Sequence, residues 1–124
     1  MWLITSIGFF SIVQKPGDSE DGMLTIRARA KGDLDALREK YLSTLGKTAS
    51  DSGTDYRYRA RAPREDIAKA MMNIVQDINY HNFKTEVQKR QGSARAKTYH
   101  GVWDVLYGIS EPDAMDSTRK GNLR

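Results

Sequence analysis

The sequence predicts an α+β domain in which a small antiparallel, or partly mixed, sheet carries helices packed on one face. Two short segments alternate arginine with apolar or aromatic residues, Ile26-Arg27-Ala28-Arg29-Ala30 and Tyr56-Arg57-Tyr58-Arg59-Ala60-Arg61-Ala62, and a period of two is the pattern of a strand. Each is followed by apolar residues at three- and four-residue spacing, the pattern of an amphipathic helix. The resulting order, β-(β)-β-α-β-α-α, fits helices segregated to one side of an antiparallel sheet. A ferredoxin-like or related split β-α-β sandwich is the expected arrangement.

Residues 2–14 are rich in apolar and aromatic side chains and read as two core strands or one bent strand. Gly8 is the bend or hairpin point, because glycine accepts a positive φ. Pro16-Gly17-Asp18-Ser19-Glu20-Asp21-Gly22 is a loop by composition. Met23–Ala30 is the next strand, broken by Lys31-Gly32. Asp33 then caps a helix to about Leu45 whose apolar face is Leu34, Leu37, Tyr41, Leu42 and Leu45. Gly46–Asp55 is polar and turn-rich. After the strand Tyr56–Ala62, Pro63 suits a first helical position, and Glu65 and Asp66 favour the positive end of the helix dipole. Ile67, Met71, Ile74, Val75 and Ile78 form its stripe.

A shorter helix around Asn82–Arg90 carries Phe83 and Val87. Ala94–Tyr107 reads as a last helix burying Tyr99, Val102, Trp103 and Leu106, although Gly101 leaves Val102–Tyr107 open to a strand reading. One domain is expected over residues 1–109, which is long enough to bury a core without staples. Residues 110–124 lose all periodicity and read as a flexible tail.

The 124 residues include no cysteine, which excludes disulfides, thiolate metal sites and cysteine nucleophiles. The opening Met1–Val13 stretch lacks a basic leader and a small-residue cleavage pattern, and is too short to span a bilayer. It is therefore expected to be core and the protein cytoplasmic, without a membrane partner. The net charge of +4 suits nucleic acid or an acidic protein and does not choose between them.

If both ladders are strands, Arg27, Arg29, Arg57, Arg59 and Arg61 share one side and form a binding candidate. Strands lie about 5 Å apart, so like charges in register repel unless acids, solvent or a bound anion relieve them. Guanidinium groups pair with phosphate through bidentate hydrogen bonds, and Phe9 or Phe10 can add a stacking platform for bases. A solvated sheet face kept soluble by charge is the plainer reading. No zinc-finger, helix-turn-helix or RNP-type signature adds to the nucleic-acid option.

The histidines sit beside tyrosines, in Tyr80-His81-Asn82 and Tyr99-His100-Gly101. Asp77/His81 and His100/Asp104 are each four apart, a spacing that orients an imidazole on a helix. His81 and His100, with Lys84 or Arg95 nearby and Asp104 as orienter, would make a general acid–base set able to cleave RNA if they converged. Capping and packing are the simpler roles. No metal-ligand spacing, P-loop, dinucleotide fingerprint or nucleophile elbow occurs, and no metal or cofactor is expected.

Met1-Trp2-Leu3, Gly8-Phe9-Phe10-Ser11, Arg27-Ala28-Arg29, Gly53-Thr54-Asp55-Tyr56, Asn82-Phe83-Lys84 and Trp103-Asp104-Val105 together resemble a widespread family of small bacterial proteins of unassigned function. The resemblance runs to about Tyr107. It implies one domain and groups the Asn82-Phe83-Lys84 and Trp103-Asp104 neighbourhoods as one feature, but it supplies no activity. The expectation is thus a non-enzymatic binding or regulatory domain using a basic sheet face. A small ribonuclease-like enzyme and a homo-oligomeric interaction module are the alternatives.

Overall fold

The structure is a computed structural model and describes residues 1–110; from residue 111 onward, the expected tail lies outside the described residues. Trp2–Thr5 (β1) and Gly8–Val13 (β2) form a hairpin, followed by one helical turn, Asp18–Asp21 (α1), and by Met23–Ala28 (β3). Lys31–Lys40 (α2), Ala49–Ser50 (β4), Tyr58–Pro63 (β5) and Arg64–Gln76 (α3) come next. Phe83–Gln91 (α4) and Ser93–Leu106 (α5) close the domain with a 3-10 turn, Tyr107–Ile109. The five strands lie in the order β1-β2-β3-β5-β4, and all pairings are antiparallel. The protein is therefore an α+β domain with helices packed on an antiparallel sheet. β3 and β5, joined through α2, are direct neighbours.

Alternation decides the two faces. Phe10, Ile12, Ile26, Ala28, Ala60 and Ala62 point to one side and are buried against Leu34 and Leu37 of α2 and Ile67 and Ala70 of α3. Fully burying a Phe or Leu side chain is worth about 1.5–3 kcal/mol, so Phe10, Ile26, Leu34 and Leu37, all at 0 % exposure, anchor this layer. The alanines let the helices approach closely, as the ladders imply.

Several boundaries differ from the expected ones for identifiable reasons. The β1–β2 turn is Ser6-Ile7, not Gly8, and the Thr5 hydroxyl holds it by accepting from the Ile7 and Gly8 N–H groups at 3.2 and 3.1 Å. Gly8 does not have a positive φ; a Cβ there would sit 2.7 Å from Asp33 Cβ and Cγ, so close approach is what requires glycine. Asp33 does not cap α2. It is the third residue of that helix and is buried against β2.

Helix α2 stops at Lys40, and Leu42 and Leu45 reach the core from the following turns. Pro63 ends β5 in an extended conformation, φ −57° and ψ 136°, so α3 begins one residue later than proposed from its sequence. Residues 102–106 are helical, but Trp103 and Leu106 are 56 % and 51 % exposed, not buried: α5 runs past the end of the body it packs on.

Candidate nucleic-acid interface

The sheet face away from the core carries the ladder arginines, and the register puts Arg27 of β3 directly opposite Arg59 of β5. Next along the ladder Arg61 faces Thr25, and on the other side of β3 Ser11 faces Arg27. The like charges anticipated to repel are therefore nearest neighbours. Arg29 lies beyond the end of β3 and Arg57 before the start of β5. Both are exposed.

Two different devices manage this charge. Arg61 is neutralised: its Nε donates to Asp18 Oδ1 at 2.9 Å and its Nη2 to Asp21 Oδ2 at 3.0 Å. Asp18 is itself buried, and Lys15 N–H and the Thr25 hydroxyl donate to its Oδ2 at 2.7 and 2.9 Å. Burial pushes the Asp18 carboxyl up, but the hydrogen bonds from Lys15, Thr25 and Arg61 outweigh it and hold the group below the usual carboxylate range. Arg61 is in turn held protonated by Asp21 and Asp18. The loop expected at 16–22 is thus a folded counter-charge clamp, built on a single helical turn between Gly17 and Gly22, whose φ angles are +92° and +68°.

Arg27, Arg29, Arg57 and Arg59 have no such relief; among the described residues none pairs with a carboxylate. Their partners are neutral. Arg27 Nη2 donates to Ser11 Oγ at 2.7 Å, Arg59 Nη2 to Thr54 Oγ1 and the Tyr56 carbonyl at 3.1 Å each, and Arg57 Nε to Ser50 Oγ at 3.4 Å. Among the described residues the Nε atoms of Arg27 and Arg59 are buried without any partner, a cost of roughly 1–3 kcal/mol for each such donor. Beside Arg59 and Arg61 an open trough of about 560 Å³ is also lined by Lys15 and Lys47.

Tyr56 is the residue the alternation misassigned. Having left the strand, it turns onto the arginine side, where its buried ring lies 4.5 Å from Arg27 Cζ and 5.2 Å from Arg29 Cζ. Such cation–π contacts are worth about 0.5–2 kcal/mol and offset part of the repulsion. The row continues through Phe9, 6.3 Å from Tyr56, to Trp2, which meets Phe9 edge-on at 6.1 Å. Phe9 is therefore the aromatic of the arginine side, and Phe10 belongs to the core.

Helix α5 stands over the far end of this row. Arg95 donates to Asp33 Oδ2 and Oδ1 at 2.9 and 3.1 Å, while Phe9 N–H also donates to Asp33 Oδ2 at 3.0 Å. Asp33 holds Arg95 firmly protonated. Burial pushes the Tyr99 phenol up, against the pull of Arg95. Between row and helix lies a cleft of about 370 Å³, whose walls include Trp2, Phe9, Tyr56, Tyr99 and Val102, with Arg29 at its rim. The sequence signal for this cleft was the stacking platform expected at Phe9 or Phe10; Arg95, expected beside the histidines, is committed to Asp33 instead, and nothing local marked Asp33 as the keystone.

The histidines are arranged differently from the acid–base expectation. Helix α3 ends at Gln76, so Asp77 and His81 do not share a helix, and Asp77 instead accepts from the Tyr41 hydroxyl at 2.7 Å. That bond, with burial, pushes the Tyr41 phenol up. His100 stacks on Trp103, with ring centroids 5.4 Å apart, and stands 3.8 Å from Asp104. A groove of about 500 Å³ between α4 and α5 brings Asn82, Phe83 and Lys84 together with His100 and Trp103. His81 is not among its lining residues, and among the described residues it makes no hydrogen bond or ion pair. No group of three His, Asp or Glu side chains among the described residues is placed to hold a metal ion, and none of the helices described is long and apolar enough to cross a membrane. No protein-family model, curated protein or solved structure matches the chain.

Proposed function

We propose that the protein is a non-enzymatic nucleic-acid-binding domain that uses the arginine side of its sheet. One observation carries this reading: among the described residues four arginines, two of them directly opposed, have only neutral partners, whereas the neighbouring Arg61 is paired with Asp18 and Asp21. A fold that needed only a soluble surface has no reason to leave this charge concentrated; a phosphate chain supplies the missing counter-charge and bidentate acceptors. The finer fold class, a relative of the ferredoxin-like sandwich, is likewise a proposal. The antiparallel sheet with α2 and α3 packed on its apolar side supports it, whereas the antiparallel adjacency of β3 and β5 departs from the split β-α-β order.

The test is anisotropy of labelled DNA and RNA across a salt series. Binding should weaken steeply with salt, and joint Arg29→Ala and Arg57→Ala should lower the slope of log K against log salt by about one and a half. Both side chains are exposed, so the unfolding midpoint should hardly move. Absent or salt-independent binding refutes the reading, and binding to an acidic protein alone transfers the face to that partner.

A second reading, a ribonuclease-like enzyme, draws support from Lys84 and His100 sharing one groove; loss of RNA hydrolysis in His100→Ala would favour it. The homo-oligomer draws support from the exposed Trp103, Val105, Leu106 and Tyr107, and sedimentation tests it.

A further inference from the structure

We infer that the cleft between the aromatic row and α5 takes an unpaired nucleobase, so that the ligand is a single strand rather than a duplex. This rests on the nucleic-acid reading of the arginine face and names its ligand more narrowly. Trp2 begins an edge strand and is 73 % exposed. Exposed apolar surface of that size is costly, and Trp2 is not an isolated case: its ring abuts Phe9, which abuts Tyr56, which lies beside Arg27 and Arg29. Trp2, Phe9 and Arg29 therefore border one cleft, with the buried Tyr56 ring packed beneath the arginines.

Helix α5 completes that cleft. Its volume of about 370 Å³ falls in the roughly 300–1,000 Å³ range of small-ligand sites, which are mostly apolar with a few placed polar groups. Tyr99 and Val102 line the side opposite the row, and Thr98, whose hydroxyl donates to the Ala94 carbonyl at 3.1 Å, adds to the lining. The Asp33 carboxylate in the wall is already held by Arg95 and the Phe9 N–H, so it does not repel an anion entering past Arg29. Flat aromatic walls beside cations are the chemistry of a base with its phosphate. A paired base is stacked inside its duplex and cannot enter such a cleft without being extruded.

The experiment uses the full chain carrying Trp103→Phe, which leaves Trp2 as its one tryptophan, with oligo(dT), a hairpin duplex of equal phosphate count and thymidine monophosphate as probes. Oligo(dT) should quench Trp2 fluorescence and bind more tightly than the duplex. In the native background, Trp2→Ala should weaken oligo(dT) binding by about 5- to 150-fold, the range of one lost base–aromatic stack. It should leave the salt slope and duplex binding unchanged, and exposed Trp2 makes a folding defect easy to exclude by circular dichroism. Equal binding of strand and duplex with normal salt dependence, or an unquenched Trp2, overturns this inference while the polyanion reading stands. Failure of every nucleic acid to bind removes both. Saturable quenching by the monophosphate without strand preference also overturns it, because the cleft would then serve a free nucleotide.

Discussion

Arg95 and Asp33 form a two-point ion pair between residues 62 positions apart, with Asp33 almost wholly buried and Arg95 about a quarter exposed. The pair ties α5 to the start of α2, and through the shared bond to Phe9 N–H it also ties both to β2.

Replacing Arg95 by Met removes the fork and leaves a buried carboxylate with one backbone partner. We expect a loss of about 2–4 kcal/mol in urea unfolding. Adding Asp33→Ala should cost less than the sum of the single changes, with a coupling of about 1–3 kcal/mol. Arg95→Lys should not restore the native value, because an ammonium cannot reproduce the bidentate geometry.

Gly8→Ala tests the close approach from the other side. A Cβ only 2.7 Å from Asp33 Cβ and Cγ meets the stem of a side chain held by three hydrogen bonds, not a mobile tip. Strain and displacement of Asp33 should cost about 1–3 kcal/mol, read as a lower urea midpoint. A stabilised Gly8→Ala would show that the approach is looser than this.

Asp18 gives the fold an acid-sensitive joint. Its native carboxyl is held below the ordinary value of 3.8, so at neutral pH it is ionised in both states and its contribution is fully present. As pH falls through 3.8 the unfolded chain takes up the proton first, and stability declines until the native group also protonates. Urea midpoints followed from neutral to strongly acidic pH should show this decline, and Asp18→Asn should flatten it while lowering stability at neutral pH.

The opposed Arg27 and Arg59 predict an unusual salt response. Added salt screens their repulsion, so the unliganded protein should gain stability with moderate sodium chloride. Arg27→Met removes one charge, keeps much of the stem and should abolish that gain. Its stability at low salt should be equal to the native value or higher by up to about 1 kcal/mol, while nucleic-acid binding weakens, a trade of stability against function. Unchanged salt dependence in Arg27→Met would show that the two charges do not interact.

The alternation within the ladders was legible because it is local: Ile26, Ala28, Ala60 and Ala62 went to the helix side as their period demands, and Arg27, Arg59 and Arg61 to the other. Asn82 was legible as the start of α4, where its side chain accepts from Thr85 N–H at 2.8 Å. What the sequence concealed depends on distant partners. Asp33 looks like a helix cap until Arg95 arrives from α5, and Tyr56 looks like a strand residue until the turn after Ser50 carries it across the sheet. Trp103 and Leu106 show the opposite failure. Their spacing is that of a buried stripe, yet α5 outruns the body that would cover them.

The strand order also sets the reach of the arginine side. From Arg59 on β5 through Arg27 on β3 and Phe9 on β2 to Trp2 on β1 there are three inter-strand steps, a span of about 14 Å. An extended chain laid across it meets the protein over only a few monomers. On the proposed nucleic-acid reading, each copy would therefore grasp only a short stretch, and a long polymer would have room for many copies.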